Sequence, residues 1–528
     1  MRQGWRFTRG LRTFLRNRVD VDEARRYVSD GLAHRDERFL RMLEEAVWPF
    51  PSSPYRRLLE NAGLDAGSVV ALVHASGLDG TLRSLCDAGV YVAYEEYLGQ
   101  APARRGSRSF DFTPRDFHNP RIRADYFSRS GGTRSAGIGA PLSFAGLRTR
   151  ALDLAMTAAP WHISKLPKAV WLPALPAGAG INAVLLWAAL GESVDCWFSQ
   201  IAVGAAGISF RKRLVNLMLP FLTMGTGVRL PWPQLTSSPD VVIAWCRGAL
   251  ARQVRACLII TYPTSAVDLA HHALANGVSL DGLVVATAGE PLTATRIEKI
   301  RASGATPFNT YGAAHFGLLG TACPACAPEE VHAFTHEHAV LARPRERADG
   351  VTVDAFCWTG LASAAALIAI NLENDDYGEV VQDDEPCTCE LSRLGVRTRL
   401  RHIRGMSKVV AAGTTVPGEE FEKLVEKVLP ARFGGASVHY QFLEREQGGW
   451  ARLVLRIHPT LGPMDEEEIL GVVRDCLRAS ELGRLATDVW SRSGALMVER
   501  RVPAPTASGK VMPFETLPGR RGAGSAER

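Results

Sequence analysis

The chain of 528 residues predicts an α/β protein, with a large N-terminal domain of mixed, largely parallel sheet and helices and a small α+β domain after it. Its length exceeds what one hydrophobic core fills. From 142 to about 356, short apolar runs alternate with amphipathic segments, the signature of βαβ units in an open sheet. Past about residue 405 the order changes to helix, two strands, helix and strand. Ahead of both, residues from about 20 to 100 look helical.

The early helical reading rests on apolar positions three and four apart, as in Phe39, Leu40, Met42, Leu43, Ala46 and Val47. In the alternating region the spacing predicts a strand over 257–262, a helix over 265–275, a strand over 283–288, a helix over 292–302 and a strand over 306–310. The C-terminal part reads as a helix over 419–429, strands over 438–443 and 452–457, a helix over 466–477 and a strand over 496–502. The domain expectation is therefore a helical extension (1–120), a large domain (121–404), a small domain hinged near Gly405 (405–516) and a disordered polar tail (517–528).

Hydrophobic residues make up 46% and charged residues 22%, an ordinary globular balance that excludes bulk disorder. Sixty-one basic against 55 acidic residues leave +6, with both signs interspersed, too mild a charge for nucleic acid. The densest basic run is Arg2, Arg6, Arg9, Arg12, Arg16 and Arg18, before the first acid at Asp20. It reads as an amphipathic surface helix, with a transit peptide as the alternative. The longest apolar stretches, such as 181–190, fall short of the roughly 18 to 20 residues a membrane span requires, so the expectation is a soluble, cytoplasmic protein with no membrane partner. Ten cysteines without a secretory signal read as reduced thiols, some of them open to metal.

Several segments carry chemistry. Ser128, Ser130, Gly131, Gly132, Thr133, Arg134 and Ser135 fall in a run of glycine and hydroxyl residues, where backbone N–H groups can approach a polyphosphate and Arg134 adds charge. A plain connector is the alternative reading. Lys510 follows Ser508-Gly509 on a proline-broken stretch; such a lysine can be delivered onto an anionic transition state or stay a solvated surface charge. Asp375 and Asp376 sit in a charged run whose other reading is an acidic turn. Cys323, Cys326, His332, Cys387 and Cys389 have spacings that suit tetrahedral zinc, with unligated thiols as the alternative. His271-His272 and His336-Glu337-His338 read as surface histidines, and Trp187, Trp197 and Phe198 as core or pocket wall.

The order of these segments resembles the adenylate-forming superfamily of acyl-CoA synthetases, luciferases and adenylation domains, most closely its phenylacetate-CoA ligase-like branch, over roughly 120–515. The resemblance implies that 128–137 holds the β and γ phosphates of ATP, with Arg134-Ser135 where Thr-Gly is usual. Gly289, Glu290 and Pro291 look like the segment beside adenine, and Tyr311-Gly312 like the pair that stacks on it. His315 stands where a magnesium-binding glutamate is usual, and imidazole is a poor ligand for that hard ion. The resemblance gives Asp376 the ribose hydroxyls, with Asp375 as fallback, and makes Lys408 the hinge of a mobile lid. Met406 stands in the place of an arginine, leaving Arg404 to reach the ribose or phosphate, and Lys510 matches the catalytic lysine. It also implies a structural zinc on Cys326, His332, Cys387 and Cys389, with Cys323 in reserve.

The implied reaction is ATP- and Mg2+-dependent activation of a carboxylic acid to an acyl-adenylate, then transfer to a thiol, with coenzyme A the default acceptor. An amine or carrier-protein acceptor, and a non-catalytic nucleotide-binding homologue, are the alternatives. A homodimer stays open.

Overall fold

The structure is a computed structural model that describes residues 2–122, 125–129, 139–175, 178–199, 210–236, 238–252, 255–313, 316–346, 352–362, 365–382, 387–406, 409–411, 414–416, 418–447, 450–479, 481–504 and 513–515. It is a mixed α/β fold built on a twelve-stranded sheet. No helix among the described residues is long and apolar enough to cross a membrane.

The large sheet has two halves of different character. In one, Pro233–Leu235, Cys196–Ser199, Lys168–Trp171, Cys257–Thr261, Leu283–Thr287 and Thr306–Ala313 pair in parallel. Strands such as Leu283–Thr287, sequence LVVAT, are apolar nearly throughout because helices cover both faces of a parallel sheet. In the other half, Gly317–Thr321, Val331–Ala333, Thr398–Gly405, Leu372–Gln382, Thr352–Gly360 and His338–Glu346 run antiparallel. The expected largely parallel sheet is thus half antiparallel. Strand Thr306–Ala313 is the seam, parallel to Leu283–Thr287 on one side and antiparallel to Gly317–Thr321 on the other.

The expected helices at 265–275 and 292–302 form as Pro263–Ala275 and Ala294–Ala302. Their apolar stripes, including Val267, Leu269, Ile297 and Ile300, pack over the parallel strands in one core. The basic N-terminal run forms helix Arg2–Arg16, whose Leu11, Phe14 and Leu15 are buried with Phe144 and Leu147 while Arg9, Arg12 and Arg16 face solvent. Trp187 and Trp197 are buried in that core, and the Trp197 indole Nε1 donates to the Leu172 carbonyl at 2.9 Å.

Residues beyond 418 build a second sheet, in the order Leu496–Arg500, Trp450–Ile457, Tyr440–Gln447 and Phe514–Glu515. Among the described residues its core contains only side chains from this part of the chain, including Phe421, Leu453, Ile469 and Trp490. The helix expected over 419–429 widens into a π turn at Leu424–Val428: the Leu429 N–H reaches back to Leu424, and Pro430 has no N–H to offer the ordinary ladder. Helix Glu481–Ser493 and the hairpin of Val409–Ala411 with Thr414–Val416 were not expected.

Helix Gly178–Ala189 approaches the sheet through Gly180, where an added Cβ would lie 2.6 Å from Trp197 Nε1 and 2.7 Å from the Pro173 carbonyl. Alanine gains about 1 kcal/mol of helix propensity over glycine, but overpacking costs about 1–3 kcal/mol. Gly180→Ala is therefore expected to lower the urea midpoint of the purified protein; a rise would show that the contact is loose.

Candidate active site

The seam strand sets the site. Where parallel strands end and direction reverses, their carboxyl ends leave a crevice, the usual place for a ligand in an open α/β sheet. A cavity of about 130 Å³ lies there, lined by Gly289, Glu290, Pro291 and Leu292 after one parallel strand, Asn309 to Gly312 on the seam, Glu329, Asp376, and His402 to Gly405.

Each segment is fixed locally. Gly289 has φ of 80°, a left-handed conformation that favours glycine, and the Tyr262 ring lies 3.1 Å from where a Cβ would be. The Glu290 carboxylate is fully buried and bound within the protein: it accepts from the Thr264 N–H (3.0 Å), the Thr264 hydroxyl (2.5 Å) and Arg296 Nη1 (3.0 Å). Arg296 also donates to the Pro291 carbonyl at 2.7 Å. Glu290 thus shapes the turn at the cavity edge with a carboxylate already engaged in three bonds.

Asp376 is held by a hydrogen-bonded triangle. The Tyr311 hydroxyl donates to Asp376 Oδ2 at 2.8 Å, and Asn374 Nδ2 reaches both the Tyr311 oxygen (2.7 Å) and Asp376 Oδ2 (2.9 Å). Burial first, then the nearby Asp376 charge, holds the Tyr311 phenol well above its ordinary pKa, so it stays a neutral donor. Asp375, the fallback, does not line the cavity. It is buried at φ of 67°, its carbonyl accepting from the Met406 N–H at 2.9 Å.

The strand bearing this triangle is anchored by the N-terminal helices. Asn371 Nδ2 donates to the carbonyls of Leu82 (2.9 Å) and Val90 (3.1 Å). The buried Glu373 carboxylate pairs with Arg343 and Arg345 and accepts from the Tyr94 N–H at 3.3 Å. Arg404 lines the cavity, its Nη1 bonded to the Ile403 carbonyl at 2.8 Å.

Of the sequence-predicted residues, Gly289, Glu290, Pro291, Tyr311, Gly312, Asp376 and Arg404 converge on this cavity. Ser128 lies on strand Tyr126–Arg129, opposite Ala140 of Gly139–Leu142. Ser130, Gly131, Gly132, Thr133, Arg134, Ser135, His315, Lys408 and Lys510 lie outside the described residues. Sequence reading missed Asn309, Glu329, His402 and Asn374. Asn374 left no signal, because the strand that carries it reads by composition as an acidic turn.

A second cluster lies between Gly317–Thr321 and the segment before Glu390–Arg393. Ligand atoms of Cys323, His332, Cys387 and Cys389 all lie within 4.8 Å of one another. Cys323, the reserve ligand, belongs to this quartet; Cys326 adjoins it, its sulfur 2.9 Å from Cys323 Sγ and 3.3 Å from His332 Nε2. The other imidazole nitrogen, Nδ1, faces the Val396 carbonyl at 3.3 Å, which aims Nε2 at the thiols. Such soft and borderline donors suit zinc, which sits about 2.3 Å from sulfur.

His336, Glu337 and His338 are not surface residues: all three are more than 90% buried. Strand pairing of His338–Glu346 and the turn before it carry them inward, and His336 Nε2 bonds Asp153 Oδ1 at 2.9 Å. Of the adjacent pair, His271 is exposed and meets the Trp450 ring edge-on at 5.1 Å.

No family model and no curated protein sequence matches the chain. Among solved structures, the chain is similar to 2-hydroxyisobutyryl-CoA ligase in complex with 2-HIB-AMP and CoA in the thioesterification state, at 15% identity and a TM-score of 0.51, covering 95% of this chain and 91% of that one. The same ligase in the postadenylation state with R3-HIB-AMP gives 14% identity and a TM-score of 0.42, over 95% and 91% of the two chains. At such identity the likeness of the first structure establishes a shared fold.

Burial raises the Glu337 carboxyl to about 8 and lowers the His338 imidazole to about 3. A carboxyl whose folded pKa lies above its unfolded value near 4.5 favours folding below pH 4.5 and loses that advantage as pH rises to about 8. His338, depressed from 6.5, acts oppositely, weakening the fold as pH falls below 6.5. The two slopes offset each other between about 4.5 and 6.5, and Glu337 acts alone above. Glu337→Gln is expected to remove about 2 kcal/mol of the stability lost between pH 6.5 and 8, read from urea midpoints; an unchanged slope would mean that the carboxyl ionises normally.

Proposed function

We propose that this chain is an ATP-dependent, adenylate-forming ligase of the phenylacetate-CoA ligase-like kind. A carboxylic acid attacks the α-phosphorus of ATP to give acyl-adenylate and pyrophosphate, and the acyl group then passes to a thiol, coenzyme A. The carrying observation is that four segments far apart in sequence, 289–292, 309–312, 376 and 402–405, meet at one cavity with Asp376 held ready at its wall. The shared fold supports this reading, since its solved counterpart is a CoA ligase bound to an acyl-adenylate and CoA.

In this reading the Asp376 carboxylate accepts both ribose hydroxyl protons, oriented by Tyr311 and Asn374, and the Tyr311 ring faces the base. Gly289 to Leu292 forms the rim beside adenine, and Arg404 serves the ribose or phosphate. Residues 405–516 form the lid, hinged at Lys408, that delivers Lys510 to the meeting of carboxylate and α-phosphate. Glu329 offers a hard oxygen at the cavity for the Mg2+ that accompanies ATP, which supplies charge neutralisation on the phosphates.

The barrier is two anions approaching, so a delivered cation is worth about 3 kcal/mol. Lys510→Ala is expected to slow acid-dependent pyrophosphate exchange about 100-fold, while Asp376→Ala raises the KM for ATP. Exchange absent in the wild type across a panel of aromatic and medium-sized acids would favour a non-catalytic homologue.

We also assign a structural zinc to the Cys323, His332, Cys387 and Cys389 quartet, a staple between two loops with no part in the reaction. Elemental analysis of purified protein is expected to give about one zinc per chain, and Cys389→Ser to lower both zinc content and thermal midpoint. Metal-free protein with an unchanged midpoint in the mutant would refute the assignment.

A further inference from the structure

Helix Phe210–Leu222, which precedes the edge strand Pro233–Leu235 of the large sheet, turns apolar side chains outward. Leu214, Leu217, Met218 and Phe221 recur three and four residues apart, which places them on one face. With Met224 in the turn beyond and Trp232 they are 39% to 69% exposed. On the inner side Leu219 is buried, and so is a polar residue, Asn216, whose Nδ2 donates to the Leu175 carbonyl at 3.3 Å. Trp232 joins the outer face: its Nε1 donates to the Leu217 carbonyl at 3.0 Å, and its ring meets Phe221 edge-on at 5.6 Å. Apolar side chains scattered singly are ordinary on a protein surface, whereas a contiguous set marks an interaction site.

The charge around this face selects its partner. Residues 196–239 contain no Asp or Glu but carry Arg211, Lys212, Arg213 and Arg229, and residues 1–19 contain no acid and six arginines. The first acids beyond these segments are Asp20, Asp195 and Asp240. The fold packs the two segments together. Arg12 Nε donates to the Leu222 carbonyl at 3.3 Å, at the end of the outward-facing helix, and Arg18 Nη2 lies 2.5 Å from where a Gly227 Cβ would be. Arg12, Arg16, Arg18 and Arg229 are exposed, and Arg12 and Arg16, four apart, share a face of helix Arg2–Arg16. Leucine, methionine, phenylalanine and tryptophan bordered by arginine are complementary to an anionic bilayer. The apolar side chains enter the acyl boundary, the indole lies at headgroup level and the guanidiniums meet lipid phosphates. A second copy seated on this face by two-fold symmetry would instead set the same acid-free segments against each other.

We propose that this face docks the protein on the surface of an anionic phospholipid bilayer, lying on the membrane without crossing it. Docking is read without ATP or acid, so it stands or falls apart from the ligase reading. The experiment is flotation of the full chain with vesicles of phosphatidylcholine alone and of phosphatidylcholine mixed equally with phosphatidylglycerol. Wild type is expected to bind the anionic vesicles about tenfold more tightly than the neutral ones and to be released as salt rises. Leu217→Gln/Met224→Gln, which removes two exposed apolar side chains, is expected to weaken anionic-vesicle binding about tenfold. Arg16→Gln, which removes one exposed charge, weakens it about fivefold. All three positions are exposed, and thermal midpoints equal to that of wild type show that the variants are folded. Wild type that binds neither vesicle, or both equally, overturns the proposal, as does either variant binding like wild type. A wild-type dimer in sedimentation that Leu217→Gln/Met224→Gln dissolves, with no vesicle binding, overturns it too and gives the face to a second copy.

Discussion

The reversal of strand direction at Thr306–Ala313 is the constraint on which the rest of the site depends. On its parallel side it inherits the carboxyl-end crevice of an open α/β sheet, and on its antiparallel side the chain must turn back immediately into Gly317–Thr321. That turn is tight enough to bring the Gly317 carbonyl within 2.6 Å of a would-be Gly312 Cβ. A side chain at 312 would push the two strands apart. The hairpin would then lose its register beside Tyr311, where pairing already shifts between Tyr311 and Gly312. The seam cavity takes a wall from this one hairpin.

A second layer of constraint comes from the N-terminal helices, which contribute no lining residue to the seam cavity among the described residues. They hold the strand that does. Asn371 sits at a positive φ of 47° and bonds two carbonyls of the helical region. Two residues on, Glu373 is buried against two arginines and the start of helix Tyr94–Leu98. A buried carboxylate is tolerable only when so paired, and removing one partner of such a pair costs about 3–5 kcal/mol. The same side chains that look like a charged surface run thus help fix the strand that carries Asp376.

This explains which parts of the molecule were legible in sequence. Parallel strands such as Cys257–Thr261 are buried on both faces and separated by helices of regular period, so their pattern was plain. The antiparallel half was obscure because its strands are polar: Leu372–Gln382 reads LENDDYGEVVQ, which by composition is an acidic turn. Glu373, Asn374 and Asp375 are buried there because specific partners satisfy them, and partners distant in sequence leave no local signal. His336 to His338 were misplaced on the surface for the same reason. Asp376 and Tyr311 were legible through the order of motifs, whereas Asn374 and Glu329 belong to no motif and emerge only where the strands meet.

Under the proposed reading, charge in and around the seam cavity argues for delivery over permanence. Among the described lining residues, Asp376 and Glu329 oppose Arg404, so the walls carry no surplus of positive charge for a nucleotide triphosphate and a carboxylate. A lysine fixed in that crevice would be desolvated with no anion to face, a cost of several kcal/mol whenever substrate is absent. In the proposed reading, a lysine placed on a C-terminal segment would stay hydrated until the anions are bound, its attraction then being felt where their repulsion is greatest.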